Sequence, residues 1–116
     1  MPLTHYIIVR RDMPLGVVCA QVTHAAGESF YAFGDHVGFS FDTTGTTAVV
    51  LGARDEKQLN YYMRRLMKAG IQAIMITENA GQFANQDTAI GVWPTVERAA
   101  VFKVLKKLNP ISELSV

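Results

Sequence analysis

Gln21, His24 and Glu28 stand at i, i+3 and i+7 in residues 16–33, a Pro-free stretch rich in Ala and Val. On a helix that spacing gathers them onto one polar face. An imidazole exchanges protons near neutral pH, an amide both donates and accepts hydrogen bonds, and a carboxylate orients either. Together they describe the wall of an acid–base site, or else a solvated helix face. A second polar group lies in Glu78-Asn79-Ala80-Gly81-Gln82, with one carboxylate and two amides between two apolar runs. Its other reading is ordinary turn chemistry.

Familiar enzyme signatures are largely missing. Gly38-Phe39-Ser40-Phe41-Asp42 falls one residue short of a nucleophile elbow and lacks a strand–turn–helix setting. Neither a P-loop nor a dinucleotide GxGxxG occurs. His5, His24 and His36 have no metal-ligand spacing, and Cys19 stands alone, so neither a cysteine-based zinc cluster nor an internal disulfide is expected. Cys19 lies between Val18 and Ala20 with no basic neighbour to lower its pKa, and reads as a packed, inert thiol. Asp55 reads as a helix cap.

The elements that must position these groups follow from hydrophobic period. Residues 5–9 read as a buried strand stopped by Arg10-Arg11-Asp12 and Pro14. A helix over 16–33 follows, with Val18, Val22, Ala25 and Ser29 as its inward stripe. Residues 34–45 read as an irregular loop, and 46–51 as a second strand ended by Gly52. Asp55 with Gln58 opens a helix whose stripe is Leu59, Tyr62, Met63 and Leu66, closed by Gly70. Residues 71–77 and 88–93 are strands. The loop between them is too short for a crossover helix, which predicts antiparallel neighbours. Pro94-Thr95 starts a last helix with Thr95 as N-cap and Val101, Val104, Leu105 and Leu108 inward, stopped at Asn109-Pro110. The expected fold is α/β: a mixed four-stranded sheet with flanking helices, in the order βαβαββα.

Length and charge bound the function. With 116 residues the chain is expected to be one domain, 1–116, and 49% hydrophobic content is ordinary for a globular core. Eleven Lys and Arg against ten Asp and Glu exclude a strongly basic nucleic-acid clamp. Local clusters remain: Lys57, Arg64, Arg65 and Lys68 on the second helix, and Lys103, Lys106 and Lys107 on the last. Each is a solvated face unless both helices share one side of the sheet, when the combined patch suits a phosphate backbone. No apolar run reaches a membrane span, and in residues 1–11 the basic pair follows the apolar run, unlike a signal peptide. A cytoplasmic, membrane-free protein is expected.

Two segments carry a resemblance. Tyr6-Ile7-Ile8-Val9-Arg10-Arg11-Asp12, followed by Gly16-Val17-Val18-Cys19-Ala20-Gln21-Val22-Thr23-His24-Ala25-Ala26, resembles the opening of the archaeal/eukaryotic-type (type 2) peptidyl-tRNA hydrolases. In that family a strand ending in Arg-x-Asp leads to a helix reading Gly-Lys-x-x-x-Gln-x-x-His-Ala. Glu78-Asn79-Ala80-Gly81, with Thr88 and Trp93-Pro94, resembles its Asp-Ala-Gly loop and Thr-bearing strand. The resemblance implies an ester hydrolase that releases peptide from tRNA without a metal or other cofactor and commonly forms a homodimer. It implies site roles for Gln21, His24 and Thr88. The family's Lys falls on Val17 and its Asp on Asn79, and Glu78 is the neighbouring carboxylate. The expected catalytic set is Gln21, His24, Glu78, Asn79 and Thr88, with Arg64, Arg65, Lys68, Lys103, Lys106 and Lys107 binding substrate. The alternative is a weakened or inactive tRNA- or protein-binding module on the same fold, since Val17 and Asn79 remove both charged groups. A third reading is another small ester or amide as substrate in the same cleft.

Overall fold

The computed structural model describes residues 3–37 and 46–111, His36 and Val37 by backbone alone. The element order is β1 (Leu3–Arg10), α1 (Leu15–Val37), β2 (Thr46–Ala53), α2 (Glu56–Lys68), β3 (Ala73–Thr77), β4 (Asp87–Val92), α3 (Arg98–Leu105) and β5 (Asn109–Pro110). One mixed sheet runs β3-β4-β1-β2-β5. The β1–β2 pair is parallel, and β4 is antiparallel to both β1 and β3.

The sheet therefore has five strands where four were expected, and the seven-element order gains an eighth. The cause is at Asn109-Pro110. This pair follows the last helix and its final turn, but the chain then folds back along β2, pairing Leu51 with Pro110 and Gly52 with Asn109. A two-residue edge strand containing proline has almost no sequence signature, because proline cannot donate to a ladder.

The strand β1 is central and buried on both faces, which explains its unbroken apolar run. Alternate residues feed two cores. Tyr6 and Ile8 meet Leu59, Tyr62 and Leu66 of α2 and Val101, Val104 and Leu105 of α3. Ile7 and Val9 meet Val18 and Ala25 of α1. Thus α1 covers one face, and α2 with α3 cover the other. At Gly91 the α1 backbone comes so close that a Cβ would collide with the Ala25 carbonyl and Ser29.

Helix α2 starts as expected. Asp55 accepts from the Gln58 N–H at 2.8 Å, while Gln58 Oε1 accepts from the Arg54 N–H at 2.6 Å. Gly70 closes its far end, with Gly70 N–H to Met67 O and Ile71 N–H to Leu66 O, both 3.0 Å. Several boundaries differ: β1 spans Leu3–Arg10 where 5–9 was expected, β3 begins at Ala73 and not at residue 71, β4 runs Asp87–Val92 in place of 88–93, and three further elements depart as follows. Helix α1 continues through Gly34 to Val37, into part of the expected loop, and residues 38–45, including the Ser40 segment, lie outside the described residues. Strand β2 runs past Gly52 to Ala53. Helix α3 begins at Arg98, because Thr95 pairs with Thr4 and its hydroxyl accepts from the Glu97 N–H at 2.9 Å, forming a turn before the helix. Cys19 is exposed, against expectation. It is one residue after buried Val18, and so about 100° around the helix from the inward stripe.

Candidate functional site

Of the expected catalytic set, the side chains of Gln21, Glu78 and Thr88 meet where β1 ends beside the start of β4. Gln21 is 2% exposed, so it leaves the polar face expected for it and joins Val18, Ala25 and Ser29 on the inward stripe. His24 and Glu28 remain exposed. A buried primary amide needs partners for both ends. Gln21 Nε2 donates to Glu78 Oε2 at 2.7 Å, and Thr88 Oγ1 donates to Gln21 Oε1 at 2.6 Å. Those two bonds also fix which way the amide points.

Thr88 reaches Gln21 because of an irregularity in β4. Ile76 pairs with Ala89 and Thr77 with Asp87, so Thr88 is the extra residue at a bulge. A bulge re-aims the side chain of the extra residue, and here it turns the buried hydroxyl towards α1.

Glu78 begins the β3–β4 turn. Its Oε1 accepts from the Asn79 N–H at 2.9 Å. Its carboxylate is held below the usual range, first by the Gln21 amide and then by the Asn79 N–H, with smaller help from the Ala80 N–H and from the charge His24 carries whenever it is protonated; desolvation opposes them. Glu78 therefore stays ionised at neutral pH and is a weaker base than an ordinary glutamate. Asn79 enters the cluster through its backbone, with its side chain exposed. Val17, at the family's Lys position, packs against the α1-side core.

Arg10 is a structural member that sequence reasoning quoted without giving it a role. Buried to 6% exposure, it donates to both Asp12 oxygens (2.9 and 3.0 Å), to Gln86 Oε1 (2.8 Å) and to Asp87 O (3.2 Å). The Asp12 bond, first among its influences, pushes the guanidinium pKa up further. Arg10 thereby ties the end of β1 to the loop leading into Thr88. Its signal was the Arg-x-Asp spacing that ended the first strand.

The six basic residues do not join this cluster. Arg64, Arg65, Lys68 and Lys103 lie on α2 and α3, with Lys106 and Lys107 just beyond α3. These helices share one face of the sheet, and Arg65, Lys103, Lys106 and Lys107 line one groove. That face is opposite α1.

A mixed α/β sheet with an amide–carboxylate–hydroxyl relay at the end of a parallel strand, next to an exposed imidazole, has the parts of a hydrolytic site. A family model described as peptidyl-tRNA hydrolase PTH2 matches residues 3–111, and the chain belongs to that family. No curated protein matches it. Among solved structures, a protein of unknown function, Atu0240 from Agrobacterium tumefaciens str. C58, is similar with a TM-score of 0.65 and 16% identity, over 100% of this chain and 99% of that one. That likeness is one of fold. Among the described residues, no helix is long and apolar enough to cross a membrane.

Proposed function

We propose that this protein hydrolyses the ester joining a peptide to tRNA. The observation that carries the reading is the Thr88–Gln21–Glu78 relay, in which three residues from separate segments hold a carboxylate ionised within the electrostatic reach of His24. Water must attack the ester carbonyl and lose a proton. His24 accepts that proton, and Glu78 stabilises the resulting imidazolium while remaining ionised itself. The exposed Asn79 amide donates to the developing oxyanion. When the carbon–oxygen bond breaks, the imidazolium returns its proton to the leaving ribose oxygen. Gln21 and Thr88 are positioning residues, since both are buried and act through Glu78. Such a substrate places the work in translation, in the cytoplasm.

The test is release of N-acetyl-aminoacid from N-acetyl-aminoacyl-tRNA. Replacing a general base typically costs about 10² to 10⁴ in rate, so His24→Ala is expected to fall by that factor. Equal rates for wild type and His24→Ala overturn this mechanism.

Val17 and Asn79 favour a second reading, in which the protein binds tRNA without turnover. Val17 is committed to the apolar core and an amide at 79 cannot take a proton. Salt-dependent tRNA binding with release at the uncatalysed rate is its signature.

A further inference from the structure

Beyond the relay, the same end of the sheet carries a basic cleft built on a glycine. Gly52 lies inside β2, where a glycine ordinarily weakens a strand. A Cβ there would collide with Cγ and Cδ of Arg11 and with Ile111. The glycine thus lets the Arg11 stem lie flat across β2, which sets where its guanidinium sits. Arg11 lines an open cleft of about 510 Å³ together with Arg54, Lys107, Gln58, Asn109 and Asp12.

The charge in this cleft is lopsided. Among the described residues Asp12 is the one carboxylate lining it, and both of its oxygens accept from Arg10. Arg54 has only a loose pairing with Asp55 at 3.5 Å, with 74% of its side chain exposed. Among the described residues, Arg11 and Lys107 make no ion pair. Gln58 turns its oxygen to the Arg54 N–H, which leaves its amide hydrogens as donors. Three cations and two amides therefore surround a space whose one anion is already neutralised.

The cleft also has a direction. Arg11 and Asp12 are shared with an adjoining space of about 590 Å³, lined otherwise by Met13, Pro14, Leu15, Gln82 and Phe83. Gln82 and Phe83 belong to the turn that begins with Glu78. A charged chain lying along Arg54, Lys107 and Arg11 points its end past an apolar surface towards that turn.

We infer that the Arg11–Arg54–Lys107 cleft binds the phosphodiester backbone of the tRNA substrate, instead of the broad basic face of α2 and α3. This rests on the reading of the protein as acting on peptidyl-tRNA. Of the six basic residues expected to bind substrate, Lys107 is the one that reaches this cleft.

The experiment measures binding of deacylated tRNA by fluorescence anisotropy across a salt series. Three proteins are compared: wild type, the triple variant Arg11→Gln/Arg54→Gln/Lys107→Gln, and the rival triple Arg64→Gln/Lys68→Gln/Lys103→Gln. Each lost phosphate contact lowers the slope of log K against log salt by about 0.7 to 0.9. The first triple is expected to lose about two to three such units and to bind about tenfold or more weakly, while the rival triple stays within about threefold. Arg11→Lys keeps the charge and is expected to retain binding, which separates lost charge from a disturbed β2. The inference is overturned if the rival triple loses more than the first. It is equally overturned if wild type fails to bind at low salt, or if inorganic pyrophosphate is held as tightly as tRNA. Hydrolysis is scored separately. Turnover with binding governed by α2 and α3 removes this inference alone. Binding lost in the first triple, with no turnover in wild type, removes the proposed reaction alone.

Discussion

The two faces of the sheet are built from different materials. Beneath α2 and α3 the buried apolar set is Leu, Val, Ile, Ala and Tyr, and the buried polar residues of β1 that share the Tyr6–Ile8 alternation, Thr4 and Arg10, stand at the strand's two ends. On the α1 side, His5, Gln21, Ser29 and Thr88 are interleaved with the apolar residues, and each is almost wholly inaccessible. Apolar burial is non-directional and tolerant, whereas a buried polar group needs its partner in place. The α1 side meets that need with chains of bonds: Thr88 to Gln21 to Glu78, and His5 to Ser29 to Ala25. One face thus serves mainly as ballast, and the other holds chemistry in position.

The largest effect expected is on the ballast. Leu66 is fully buried between α2 and the sheet. Leu66→Ala removes transfer energy and leaves a cavity, costing about 2 to 5 kcal/mol. Urea denaturation measures this, and the hydrolysis rate per folded molecule is expected to hold. A tenfold fall in that rate at full folding shows that the two faces are not separable.

Next comes the buried histidine on the other face. Ser29 spends its hydrogen on the Ala25 carbonyl at 2.6 Å, so it accepts from His5 Nε2 at 2.7 Å. Phe30 stands edge-on to the imidazole, 4.2 Å between centroids. Burial pushes the His5 pKa down to about 4. The unfolded chain, with a histidine pKa near 6.5, takes up a proton that the folded protein refuses as pH falls. Stability is fully present above about 6.5 and is lost progressively down to about 4, by roughly 3 kcal/mol in all. His5→Leu removes this titration while leaving Ser29 bonded to Ala25. Unfolding free energies for both proteins from pH 7 to pH 4 check it, and parallel curves show that His5 does not titrate on unfolding.

This contrast also explains what the sequence made legible. The uniform face was readable: the stripe Leu59, Tyr62 and Leu66, the Asp55 cap and the antiparallel β3–β4 pair all follow from period and local chemistry. The mixed face was readable only in part. Gln21 looked exposed because its type is polar and His24 lies one turn on, although its spacing from Val18 and Ala25 puts it on the inward stripe; what had no periodic trace is the bulge at Thr88, a single-residue insertion that supplies the partner for its oxygen. Glu78 sat within a turn that its neighbours explained well enough. Arg11 and Gly52 are 41 positions apart, and nothing in either local pattern pairs them. Thr95 had the right type for a cap, but the bridge to Thr4 claimed its backbone first.

The smallest effect sharpens the comparison most, because it isolates one bond. Thr88→Val preserves shape but deletes the hydroxyl that donates to Gln21 Oε1 at 2.6 Å. An acceptor stranded in the interior costs about 1 to 3 kcal/mol, whereas removing both partners together costs much less. Gln21→Leu combined with Thr88→Val is therefore expected to be at least as stable as Thr88→Val alone. On the α2–α3 face, two contacting truncations have no stranded partner to relieve. Activity separates from stability in this pair. The double variant deletes the Gln21–Glu78 bond and the single variant removes the hydroxyl that orients the Gln21 amide, so hydrolysis is expected to fall in each even where the double variant regains its fold. A double-mutant cycle read by urea unfolding and by N-acetyl-aminoacyl-tRNA hydrolysis tests both halves. Additive stabilities deny the Thr88–Gln21 coupling, and full activity in the double variant removes the relay from the mechanism.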